Sequence, residues 1–251
     1  MGLLSIMSLI VQKRIDRGFN TPVVVKTTTP LGMHQGSVVT LPDIDIALAQ
    51  ADGSIIKAPV GTQIVTAVGT YTLFGMTVFH AYLNDGISYI QLVTKGGPNG
   101  PIQDARLFCT HQEVLPQSVE DWEFWLGSYQ KDMAGQFVRD IWGNSIRAEF
   151  GLIGWPQFQI DGPPVCLYNR TWSPAPEGMD PVEYNEVIVD SDGNTTHVKH
   201  EGMEYYRRLT DASDSVTESL LASMVQQNGA GSVDIMIGIP LDHTNLNVLR
   251  S

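Results

Sequence analysis

The stretch "APVGTQIVTAVGTYTLFGMTVFHAYL", residues 58 to 83, carries no charged side chain, and how it is read decides the fold. Its length is that of a membrane span. Pro59, three glycines, five threonines and Gln63 interrupt it, and its Val, Ile, Thr and aromatic residues are those that fit a pleated surface. It therefore reads as successive β-strands, with no transmembrane segment. The same rhythm extends outward on both sides. Short β-rich segments bounded by turn residues run from Thr21 to Leu115: "TPVVVKTTT", "GSVVTL", "GSIIKA", "QIVTAVGTYTLF", "MTVFHAYL", "ISYIQLVT" and "ARLFCTH". Among their boundaries "NDG" at 84 to 86 is the clearest hairpin signal.

The rhythm breaks at "SVEDWEFWLGSYQ", where Ser118 and Asp121 form a capping pattern and Trp122, Trp125 and Leu126 recur at helical spacing. A helix is predicted near 118 to 131, with both tryptophans in the core. "QFVRDIW", 136 to 142, reads as a second short helix. Strands resume in "IRAEFG", "PQFQI", "VCLYNRTW", "EYNEVIVD", "TTHVKHE" and "MEYYRRL". "TESLLASMVQQ" reads as a strand, because "GAGSVDIMIGIPL" follows it as an antiparallel partner across a glycine turn. The expected class is α+β, predominantly antiparallel β with one or two short helices and an N-terminal amphipathic helix. Residues 1–20 form an amphipathic arm and 21–251 a single β-rich domain, with a sub-division near 115.

With 43% apolar residues among 251, the chain can bury a large core. Its net charge of −12 repels phosphate backbones and excludes general nucleic-acid binding. The arm differs: Leu3, Leu4, Ile6, Met7, Ile10 and Val11 fall on one helical face, followed by Lys13, Arg14 and Arg17. That face is expected to dock on the protein itself or a second copy, then on a protein partner, then as a peripheral contact on an anionic membrane surface. The run is too short for an export signal and lacks a cleavage site, and Ile6 stands where myristoylation needs Ser or Thr. Cys109 and Cys166 sit in apolar surroundings as buried thiols, which favours a reducing, cytoplasmic setting and leaves one disulfide open.

"DSDGNTTHVKHE", 190 to 201, matches calcium-loop spacing at Asp190, Asp192, Asn194 and Glu201, but Thr195 replaces the required glycine and a strand precedes it. His197, His200 and Glu201 suggest zinc, yet in a strand residues three apart point to opposite faces. The hairpin reading remains, with "SDGN" turning and Asp192 and Asn194 supplying turn chemistry around Gly193. Asp43 and Asp45 in "LPDIDIAL" would share one strand face as an acid and base, or simply mark a half-buried strand. No nucleophile elbow, phosphate loop or C-x-x-C pair occurs, and no cofactor is expected. Tyr168, Arg170 and Trp172 in "LYNRTW" fall on one strand face, either to hold a ligand or partner or to cover a core edge.

The order of "DGISYIQLVT", "DWEFWLG", "IGWPQFQIDG", "VCLYNRTW" and "EYYRRL" through "VDIMIGIPL" resembles the YjfK-like family of bacterial proteins, a domain of unknown function (2491), over roughly residues 70 to 249. Residues 1 to about 60 depart from its shorter members. The resemblance implies a cytoplasmic bacterial protein working near envelope-stress components of the phage-shock type and an ATP-grasp ligase-like enzyme, and carries no site residues with it. The expectation is a non-enzymatic binding or adaptor protein, acting through a protein partner or as a homo-oligomer. The alternative is an enzyme or metal protein using Asp43/Asp45 or His197/His200/Glu201.

Overall fold

The computed structural model describes residues 29–143, 145–173, 175–210, 216–227 and 229–249. The N-terminal arm and most of "TPVVVKTTT" lie outside them. Twelve strands are present among the described residues: β1 (Val38–Thr40), β2 (Thr62–Leu73), β3 (Met76–Leu83), β4 (Ser88–Thr94), β5 (Ile102–Val114), β6 (Gln157–Ile160), β7 (Cys166–Arg170), β8 (Val182–Asp190), β9 (Thr195–Arg208), β10 (Thr217–Gln227), β11 (Ala230–Pro240) and β12 (Asn247–Leu249). Two α-helices join them, α1 (Asp43–Ala51) and α2 (Val119–Leu126).

Eight of the strands close on themselves. β2 to β5 form one antiparallel meander and β8 to β11 another. β5 pairs with β11 and β2 with β8, both antiparallel, so the ring runs β2-β3-β4-β5-β11-β10-β9-β8 and back to β2. The charge-free run is thus the first hairpin of a barrel. Among the described residues no helix is long and apolar enough to cross a membrane. Two strands outrun the ring and carry extensions: β2 pairs with β1, and β1 with β12, while the end of β9 pairs with β7, and β7 with β6.

Several strands are buried on both faces, which explains why "MTVFHAYL" and "SLLASMVQ" read as near-continuous apolar runs. Outward residues such as Phe79, Leu92, Leu107, Ile237 and Leu220 form the main core, covered by Met33, Leu41, Ile46, Ala49, Ile56, Leu126, Ile153 and Leu246 from the segments wrapped around the barrel. Trp122 and Trp125 pack against this core, as expected. Inward residues form a separate cluster around Tyr82, Tyr89, Phe108, Leu221 and Met236.

Several local expectations are corrected. "LPDIDIAL" is not a strand: Asp43 and Asp45 lie in the first turn of α1, where carboxylates favour the helix dipole. The helix wins because Ala47, Leu48, Ala49 and Gln50 are good helix formers and Ile46 and Ala49 bury one face. "GSIIKA" is irregular chain after α1. Helix α2 has the expected capping box, with Asp121 N–H donating to Ser118 Oγ at 3.1 Å and Ser118 N–H to Asp121 Oδ2 at 3.1 Å. It stops at Leu126 rather than 131. Gly127 has φ +87°, and a side chain there would meet the Glu149 carbonyl.

"QFVRDIW" is not a helix and "IRAEFG" is not a strand. Residues 129–143 and 145–147 form an excursion pinned by isolated bridges, Tyr129 to Arg147, Lys131 to Phe137 and Arg139 to Ser145. Asp132 Oδ1 accepts from the N–H groups of Ala134 and Gln136, and Asp140 Oδ1 from that of Trp142. These carboxylates fold successive tight turns and defeat the helix. "TTHVKHE" and "MEYYRRL" are one strand, β9.

Candidate functional site: the barrel lumen and its mouth

Alternation along the ring strands aims a set of polar and aromatic side chains inward. Glu186 on β8 sits at the centre, fully buried. Tyr82 O–H donates to its Oε1 at 2.8 Å, His80 Nδ1 lies 2.9 Å from the same oxygen, and His200 Nε2 lies 3.1 Å from Oε2. The far nitrogen of His80 meets Gln91 Oε1 at 3.1 Å, and that of His200 meets Ser223 Oγ at 3.3 Å. Burial alone raises the pKa of Glu186, but the neighbouring His80 and the hydrogen bonds from both imidazoles outweigh it and hold the carboxylate below its usual range. Gly69 on β2 makes room: a side chain there would overlap the Glu186 carboxylate. Rings flank the cluster, with His80 stacked on Tyr89 at 4.1 Å and His200 on Tyr184 at 4.6 Å between ring centres.

Above this cluster a cavity of about 150 Å³ opens at one mouth of the barrel, lined from seven of the eight ring strands by residues that include Tyr71, Val78, Gln91, Asp104, Phe108, Tyr184, Glu204 and Leu221. Phe74, from the β2–β3 turn, and Trp172, just after β7, complete its rim. Tyr71 and Tyr184 stack at 4.4 Å, and Phe74 meets Trp172 edge-on at 6.0 Å. Arg106 bridges the two acids, Nε lying 2.7 Å from Asp104 Oδ2 and a terminal nitrogen pairing with Glu204. The trio carries one net negative charge.

Phe74 has φ +50° and Gly75 φ +76° in a two-residue turn between Leu73 and its partner Met76. A type I′ turn requires positive φ at both positions, and a bulky residue takes the first only under strain.

The residues singled out in the sequence fall elsewhere. His197 and Glu186's partner His200 point to opposite faces of β9, one exposed and one buried in the lumen. Glu201 pairs instead with Arg147 and Lys199. The zinc grouping is therefore not assembled. Asp43 Oδ1 accepts from Gly61 N–H at 2.8 Å and does not act with Asp45, since residues two apart on a helix diverge. Asp190, not Asp192 or Asn194, organises the β8–β9 turn, accepting from the N–H groups of both, while Gly193 takes φ +77°. Tyr168 is buried and donates to Glu218 at 2.6 Å. Arg170 is buried too, its guanidinium spread over the carbonyls of Gly154, Ser173, Ala175 and Glu177. Of that trio only Trp172 reaches the cavity. Cys109 and Cys166 are free thiols, and burial pushes Cys109 up to about 12.

Sequence reading missed His80, Glu186, Tyr71, Tyr184 and Phe74. A faint signal existed: polar residues such as His80 and Gln91 in otherwise apolar strands mark inward positions, but their convergence depends on strand order.

Searches of curated proteins and of solved structures returned no match. The family model described as "Protein of unknown function (DUF2491)" matches residues 10–144 and 139–247. The chain belongs to that family.

Proposed function

We propose that this member of the DUF2491 family is a non-enzymatic binding protein that takes a small organic ligand at the mouth of its barrel. The observation that carries the reading is the aromatic-lined cavity of about 150 Å³. Ligand sites are concave and mostly apolar with a few placed polar groups, and barrel mouths are among their usual locations. Eight strands leave an interior that side chains nearly fill, with space for one small molecule. The strained Phe74 supports the reading, because strain kept at a rim points to a placed side chain.

A ligand-observed nuclear magnetic resonance screen of ring-sized fragments tests it. Hits should compete with one another, and Trp172→Ala should weaken them about tenfold, as expected for an aromatic contact of roughly 1.4 kcal/mol. Fragments that bind the variant as well as the parent would remove the cavity from the functional account. A second reading, an adaptor, is favoured by Met133, Ile141 and Trp142, which the excursion holds exposed at its turns. In either reading the resemblance adds a bacterial cytoplasmic setting near envelope-stress components.

A further inference from the structure

The lining of the cavity selects among ligands by charge. Five rings line it, Tyr71 with Tyr184 and Phe74 with Trp172, above Phe108, between aliphatic side chains such as Val78, Val93 and Leu221. Aromatic faces carry partial negative charge and attract cations. Asp104 and Glu204 share the lining, and one arginine cannot neutralise both. An anion would meet repulsion from both the rings and the acids, and a wholly apolar guest would displace water from the carboxylates and give nothing back. A hard metal ion needs six or more oxygen ligands, and the two carboxylates of this lining are already held by Arg106. What remains is a cation with an apolar skin.

We propose that the barrel mouth binds a small organic ammonium group of the trimethylammonium or alkylamine type, with Tyr71, Trp172 and Phe74 against its carbon surface and Glu204 and Asp104 supplying the countercharge. This rests on the reading of the cavity as a ligand site. The size agrees, since a cavity of about 150 Å³ accommodates a benzene-sized guest. The position of Phe74 agrees as well. Glycine would relieve its strained turn, but only a ring there can meet Trp172 and narrow the rim around a compact guest.

Calorimetric titration of the full-length protein with choline chloride, and with its neutral isostere 3,3-dimethylbutan-1-ol, separates charge from shape. Choline should bind at least about tenfold more tightly, and added salt should weaken it. Glu204→Gln should shrink the preference. Should that variant fold poorly by loosening Arg106, Trp172→Leu keeps the wall apolar, removes the ring and should weaken choline more than the isostere. Equal binding of the two probes, or binding of neutral fragments without choline, overturns the ammonium assignment and leaves the small-ligand site standing. If neither probe nor any neutral fragment binds, both fall. Sedimentation with phosphatidylcholine vesicles distinguishes the source: vesicle binding that free choline competes away assigns a lipid headgroup, and choline binding without vesicle binding assigns a free solute.

Discussion

Glu186 is one carboxylate with no exposure, and a buried charge of this kind costs several kcal/mol unless its oxygens are filled. Tyr82, His80 and His200 fill them from strands β3 and β9. Glu186→Gln keeps the shape but removes the charge and turns one of the two accepting oxygens into an N–H donor, so we expect a loss of about 3 kcal/mol in urea denaturation. The pH dependence follows from the direction of the shift. In the unfolded chain the group titrates near its ordinary 4.5, and in the folded protein it titrates below that. Between the two values the unfolded state binds more protons, so this contribution is fully present above about pH 4.5 and is lost as pH falls below it. The parent should lose stability over that acid range and the glutamine variant should lose visibly less. Equal slopes would mean that Glu186 is not the group responsible.

Helix α2 shows how far local chemistry reaches. Its start was legible because Ser118 and Asp121 satisfy each other's backbone N–H groups within four residues of chain. Ser118→Ala should cost about 1 kcal/mol and lower the thermal midpoint by 2–4 °C, and an unchanged midpoint would show that packing of Trp122 and Trp125 alone holds the helix. The strands were legible for a related reason: β-branched and aromatic runs between turn residues need no distant partner to be recognised. Where the sequence misled, a partner distant in the chain or a side chain turned on its own backbone decided. The alternation of "DIDIAL" imitates a strand, and Ile46 and Ala49 reveal a helix only once the barrel wall is there to receive them. The helical spacing in "QFVRDIW" loses to Asp140, whose carboxylate folds a turn. The lumen was the least legible part, because Gly69, His80 and Glu186 are separate punctuation marks in three strands until the ring closes.

At the scale of the molecule the ring removes edges. Among the described residues the sheet path ends at β12 and β6, of three and four residues, too short to template another chain efficiently. The two meanders are also topologically equivalent: each strand of the first has a counterpart in the second, and the chain between them makes the long detour through α2, the excursion and β6–β7. They are joined to each other by the seams β5–β11 and β2–β8. Exposed Lys131 and Arg139 sit in that detour, where proteases reach first. A brief trypsin digest should therefore cut there, and the two pieces should elute together from a sizing column and part only in denaturant. Separate elution in native buffer would show that the connection, not the seams, holds the halves. The barrel is in this sense a clasp with two fastenings, and severing the polypeptide that joins its jaws is expected to leave it closed.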